Sequence, residues 1–214
     1  MAERGEVVLS VDEMTGIQAL ERIFPDRPVI PGSAHKMEFE YKRNGTQTLI
    51  AARDVCTGIV FGRCGPTRTE KDFANFIKNL ARLHSEASKI HIVCDNLNVH
   101  LSESLVRYIA RLSGDRRDLG KKGRRGILNS KKSRQEFLCN PDHKIVFHFT
   151  PKHASWMNQI EIWFSILARK TLKRGNFSSK TNLKKTILAF IDYYNATMAR
   201  PFKWTYLGKV LVGA

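Results

Sequence analysis

Two stretches decide the fold: Val7-Val8-Leu9-Ser10-Val11-Asp12-Glu13 and Ile90-His91-Ile92-Val93-Cys94-Asp95. Each is a short apolar run rich in β-branched residues, the pattern of a buried strand, and each ends in a carboxylate. Between them, Met37 to Tyr41 and Thr46 to Val55 flank Asn44-Gly45, which predicts a hairpin turn, and Gly58 to Arg63 predicts a third strand. Residues 14 to 37 carry Pro25, Pro28, Pro31 and Gly32, so the expectation there is an irregular excursion with one helical turn around Ile17 to Ile23.

Downstream the period changes. Phe73, Phe76, Ile77, Leu80, Ala81 and Leu83 recur at helical spacing behind Thr69, a capping residue followed by Glu70 and Asp72. Ser102 to Leu112 predicts a second helix, Lys144 to Thr150 a strand, and a helix carrying Glu161 begins near Ser155 after the loop Pro151 to Ala154. A last helix spans about Thr181 to Asn195. Three strands, helix, strand, helix, strand, helix is an α/β order compatible with a ribonuclease H-like, mixed five-stranded sheet flanked by helices. In such a sheet the first and fourth strands lie side by side, so their terminal carboxylates meet.

Charge sets the class of partner. The chain has 214 residues, with 36 Lys and Arg against 20 acidic residues, a net charge of +16. That excess favours a polyanion, with nucleic acid foremost. No apolar run is long enough to span a membrane, and MAERGEVVLSVDE lacks the layout of a signal peptide, so the expected location is cytoplasmic and nucleoid-associated. Cys56, Cys64, Cys94 and Cys139 form no C-x-x-C pair, which argues against a disulfide framework or a zinc ribbon. Cys139 and His143 lack further partners at zinc spacing.

Asp12, Asp95 and Glu161 are the candidate catalytic and metal-binding residues, because two-metal phosphoryl transfer needs carboxylate oxygens converging on two hard cations. Taken singly, each has an ordinary alternative: strand-end Asp residues cap turns, and a helical Glu is commonly a solvated surface residue. Asn96 and His100 follow Asp95 closely, and Asn158 lies one helical turn before Glu161; they either support the site or satisfy local backbone. Lys152, His153 and Trp156, in the loop that delivers Glu161, are candidates for phosphate and base contact, with Trp156 equally suited to the core. His91 and His148 alternate with apolar strand residues and read as outward or satisfied side chains. Arg116, Arg117, Lys121, Lys122, Arg124 and Arg125 stand in a glycine-interleaved segment, 113 to 143, which reads as a basic, loop-rich insertion suited to phosphates.

VDE at 11–13, VCDNLNVH at 93–100, TPKHASWMNQIEIWF at 150–164, RGNFSS at 174–179 and NATMARPFKWTY at 195–206 together resemble the DDE transposases of bacterial insertion sequences, in the mariner-like branch. The resemblance implies one catalytic domain over residues 1–206 with a tail at 207–214, and assigns the metals, two Mg2+ or Mn2+, to Asp12, Asp95 and Glu161. It implies cleavage at transposon ends and transfer of the freed 3′-hydroxyl into target DNA, within a homodimeric paired-end complex. A ribonuclease H-like nuclease that never joins DNA, and a non-catalytic DNA-binding remnant, are the competing expectations. Two departures stand out. Asp95 and Glu161 are about twice as far apart as is usual in that branch, with the excess at 113–143, and only six residues precede the first strand, where relatives carry helix-turn-helix domains. An upstream helix-turn-helix polypeptide, from a split or frameshifted gene, is therefore an expected partner.

Overall fold

Strict alternation along the first strand separates two environments. Leu9 and Val11 point to one face of the sheet and are fully buried, while Ser10 and Asp12 point to the other. The computed structural model describes residues 5–36, 38–151 and 157–201. Its elements run β1 (Glu6–Arg22), β2 (Tyr41–Asp54), β3 (Val60–Gly65), α1 (Glu70–Leu83), β4 (Lys89–Cys94), a 3-10 turn (Asn98–Leu101), α2 (Glu103–Leu112), α3 (Lys131–Leu138), β5 (Ile145–Phe149), α4 (Gln159–Leu167), a π turn (Ala168–Leu172) and α5 (Lys180–Thr197). The five strands form one sheet in the order β3-β2-β1-β4-β5, antiparallel at β1–β2 and β2–β3, parallel at β1–β4 and β4–β5.

Helices cover both faces. Phe73, Ile77 and Leu80 of α1, with Leu105, Val106 and Ile109 of α2, pack on Leu9, Val11, Ile90, Ile92 and Phe147. On the opposite face Ile160, Trp163, Phe164 and Leu167 of α4, with Leu183, Ile187 and Ile191 of α5, pack on Ile17, Ala19, Leu49 and Ala51. The capping signal at Thr69 holds, since Thr69 and Asp72 form a reciprocal capping box on α1; Ser102 stands just before α2 rather than within it, its side chain accepting from Leu105 N–H.

Three expectations are corrected. β1 does not end at Asp12 and there is no helical turn at 17–23; the strand continues to Arg22. Thr15 and Gly16 there oppose Thr48 alone, a bulge that Gly16 makes possible with φ +65°. Asn44-Gly45 is not the hairpin turn either. Those residues oppose Ala19 within β2, as a second bulge with Gly45 at φ +100°. The two strands instead reach outward to a reversal at Pro31-Gly32, closed by paired hydrogen bonds between Ile30 and Ser33. A bulge and a tight turn share one sequence signature, because both need a residue with positive φ.

The third correction concerns 113–143, which is more than loop. Ser130 caps α3, and Leu119, Leu128, Phe137 and Leu138 are buried against the α1–α2 side of the core. Arg134 is buried as well, donating through Nε to Leu101 O at 2.6 Å and through Nη1 to Leu128 O at 2.9 Å. Four apolar residues spread over this segment show no period, which is why it read as irregular.

Candidate active site

The β1–β4 ladder pairs Ser10 with Val93; carried two residues further, it sets Asp12 beside Asp95 at the ends of the parallel pairing. Asn158, the residue before α4, brings the third carboxylate to them. It is completely buried, shares a hydrogen bond with the Ser10 hydroxyl, and donates through Nδ2 to Val11 O and to Asp12 Oδ2, each at 3.1 Å. Ser10 Oγ also accepts from Ile160 N–H at 2.9 Å. The start of α4 is therefore bolted to β1, and one residue beyond Ile160 the Glu161 carboxylate is in hydrogen-bonding contact with Asp12 and close enough to Asp95 to feel its charge.

The three carboxyls are not electrostatically equivalent. Burial pushes Asp12 up to about 7, despite a 2.8 Å hydrogen bond from Glu13 N–H, and the neighbouring Asp95 charge adds to the rise. Glu161 is raised in the same direction, chiefly by burial. Asp95 goes the other way. Burial works against its charge, but contact with His100 Nδ1 at 2.8 Å and a hydrogen bond from Leu97 N–H at 2.9 Å hold it below the usual carboxylate range. The site thus keeps one firm anion beside two reluctant ones, an arrangement that a bound cation would relieve.

His100 is fully buried in the 3-10 turn, its ring tilted against Phe73 with centroids 4.3 Å apart. Its Nδ1 faces Asp95, and its Nε2 lies 3.1 Å from Glu13 Oε1. Burial alone would favour the neutral ring; contacts with Asp95, Cys94 and Glu13 reverse that and raise its pKa strongly. Glu13 was not singled out by the sequence. It belongs with Asp12 and His100 to the one group of possible metal ligands found among the described residues, and the acidic doublet after the first strand was its signal. Replacing His100 by Gln is expected to raise the Mn2+ concentration needed for half-maximal cleavage about 10- to 100-fold, the usual effect of removing a group that orients a ligand. A lowered melting temperature with unchanged Mn2+ dependence would assign His100 to the core alone.

The remaining candidates divide. Asn96 donates to Thr150 O at 2.7 Å and closes the end of the β4–β5 pair, a structural role. Lys152, His153 and Trp156 lie outside the described residues. Arg117 is paired with Asp115, Lys122 with Glu70 and Arg125 with Asp118, while Arg116, Lys121 and Arg124 are exposed. His91 and His148 contact each other at 2.9 Å across the sheet.

The sequence matches the family described as DDE superfamily endonuclease over residues 7–184, most of the chain and the whole span from β1 through α4. The chain belongs to the DDE endonuclease superfamily. Among curated proteins none matches its sequence. Its fold is similar to that of about half of the Mos1 mariner transposase chain in a paired-end complex with Mn (TM-score 0.56, 13% identity), a match covering 94% of this chain and 50% of the Mos1 chain. The Mos1 strand transfer complex is similar in the same way (TM-score 0.53, 12% identity, 91% and 48% covered). This DDE chain spans about half the length of those solved relatives. No helix among its described residues is long and apolar enough to cross a membrane.

Proposed function

We propose that this DDE endonuclease is the catalytic core of a mariner-like transposase, cutting DNA at transposon ends and joining the freed 3′-hydroxyl to target DNA. The observation that carries the reading is the convergence of Asp12, Asp95 and Glu161 at one end of the sheet, in a chain matched to the DDE family across that whole region. The all-oxygen donor set suits two hard cations, Mg2+ or Mn2+, better than zinc, which favours nitrogen and sulfur. Bound between the carboxylates, such ions would supply the charge that activates water or a hydroxyl and steadies the leaving oxygen.

The chain's own residues hold and aim. Asn158 fixes the Asp12 carboxylate against the start of α4, His100 fixes Asp95, and the Ser10 hydroxyl ties Ile160, next to Glu161, to β1. The exposed Arg116, Lys121 and Arg124 of the inserted segment give DNA phosphates a cationic surface; their ion-paired neighbours Arg117, Lys122 and Arg125 reach the same surface at little cost, since exposed salt bridges are weak. A homodimer pairing two ends, an upstream helix-turn-helix polypeptide to recognise them and residence on the nucleoid complete the reading. The Mos1 paired-end assemblies support the pairing of two ends and the net charge of +16 supports residence on DNA, while the helix-turn-helix partner rests on the family resemblance alone.

The test is metal-dependent nicking and joining on DNA bearing the element's own terminal repeats, with any upstream reading frame supplied. Joined products are expected. Cleavage without joining would leave a nuclease, and DNA binding with neither would leave a remnant.

Metal and proton compete at Asp12. Its folded-state pKa of about 7 exceeds the ordinary 3.8, so between those values the folded protein keeps a proton that the unfolded chain has lost. Stability of the metal-free protein therefore declines as pH rises through this window, and a divalent cation restores it most where the proton is gone. The rise in melting temperature caused by Mg2+ is expected to be larger at pH 8 than at pH 5.5; an equal rise at both would contradict the coupling.

A further inference from the structure

Where α4 ends, the helix widens into the π turn Ala168–Leu172, which carries Arg169 and Lys170. Such turns recur at functional positions because the extra residue redirects side chains. Here Arg169, Lys170 and Arg174, with Ile166 of α4, line a groove of about 770 Å3 together with Phe190, Tyr193 and Met198 from α5 and its end. All three cations are exposed, and among the described residues none is ion-paired. Tyr193 is 58% exposed, a large aromatic face left open to solvent beside them. No carboxylate is among the described lining residues; Asp192, next in sequence, lies instead in the cleft between α5 and β3.

We infer that this groove is a second DNA-binding surface, in which Arg169, Lys170 and Arg174 hold backbone phosphates and Tyr193 stacks on an unpaired or splayed base. Three cations without a counter-charge call for a polyanion, and an aromatic face at the same groove selects one that also carries planar rings. The choice of DNA over another nucleic acid rests on the function proposed above. Position supports it. Glu161 stands in the first turn of α4 and Arg169 eight residues later, about 12 Å along a helix axis at 1.5 Å per residue. That distance is about three to four nucleotides at 3.4 Å each, so DNA engaged at the carboxylates reaches the groove along α4 within a short flank.

The experiment measures binding of the full chain to a mixed-sequence duplex ending in a single-stranded flank that contains 2-aminopurine, in EDTA, across a range of salt. The triple variant Arg169→Gln, Lys170→Gln, Arg174→Gln is expected to bind about 10- to 100-fold more weakly near 0.1 M salt, with the slope of log affinity against log salt reduced by about three. Tyr193→Ala is expected to keep that slope and lose the quenching of 2-aminopurine. Since all four side chains are exposed, both variants should melt as the parent does. Unchanged affinity and slope in the triple variant, or weaker binding with the slope unchanged, would overturn the assignment. So would loss of affinity for a polyglutamate peptide with DNA binding intact, which would give the groove to an acidic protein segment. Cleavage read separately in Mn2+ reports on the catalytic proposal, and binding in EDTA does not depend on it.

Discussion

Asn158→Ala is expected to lower stability by about 2–4 kcal/mol and cleavage by about 100-fold, an unusual pairing for a residue that is not itself an acid, a base or a ligand. The amide is wholly buried and bonded to Ser10, Val11 and Asp12, so its removal strands a hydroxyl, a carbonyl and a carboxylate oxygen at once. The stability loss is readable from thermal or denaturant unfolding. The rate loss follows from geometry: without the amide, neither the Asp12 rotamer nor the start of α4 that carries Glu161 is held against β1. Asn158→Asp supplies a sharper contrast, since it keeps the shape but turns a donor facing Asp12 into a further anion. It is expected to be at least as damaging to cleavage, with divalent metal recovering part of its stability. If Asn158→Ala loses stability but keeps its rate at temperatures where it remains folded, Asn158 serves packing alone.

Asp95→Asn and Glu161→Gln are expected to abolish metal-dependent cleavage, by about 1000-fold or more, while leaving DNA affinity within a few fold. Several kcal/mol of charge stabilisation at a phosphoryl centre convert to that factor. Asp95 is the more sensitive position because it is the firm anion of the three, held ionised by His100 and Leu97 N–H. Its amide counterpart loses the charge and also disturbs the His100 contact shared with Glu13. Glu161 is half-buried and its carboxyl is raised by that burial, so the neutral Glu161→Gln should unfold at nearly the parent temperature. A gel-based nicking assay in Mn2+ beside a filter-binding or anisotropy measurement separates the two effects.

Much of this site was legible in the sequence because its framework is built from simple periods. Two apolar runs ending in acids define β1 and β4, and parallel pairing brings those ends together without any further information. The helices followed from 3.6-residue spacing and from Thr69 as a cap, while Ser102, read as the first residue of its helix, proves to be the cap. The departures along the β1–β2 pair have a common cause. Gly16 and Gly45 satisfy bulges, while Pro31-Gly32 makes the turn, and local sequence does not distinguish the two uses of a positive φ. The segment 113–143 looks loop-rich in sequence because Leu119, Leu128, Phe137 and Leu138 reach the core from a chain path with no regular period. Glu13 escaped notice because strand alternation sends it away from Asp12; only the 3-10 turn after β4, which swings His100 under the sheet end, joins Glu13 to the cluster.

The central claim is that Asp12, Asp95 and Glu161 are the metal site of this endonuclease, and iron-directed self-cleavage tests it most directly. Fe2+ replacing Mg2+, with ascorbate and peroxide, cuts the polypeptide within a few ångströms of where the metal sits, and mass spectrometry of the fragments reports the position. The account predicts cuts clustered beside Asp12, Asp95 and Glu161, suppressed by excess Mg2+ and lost in Asp95→Asn. Cuts beside Cys139 and His143, or a pattern indifferent to both Mg2+ and Asp95→Asn, would contradict it.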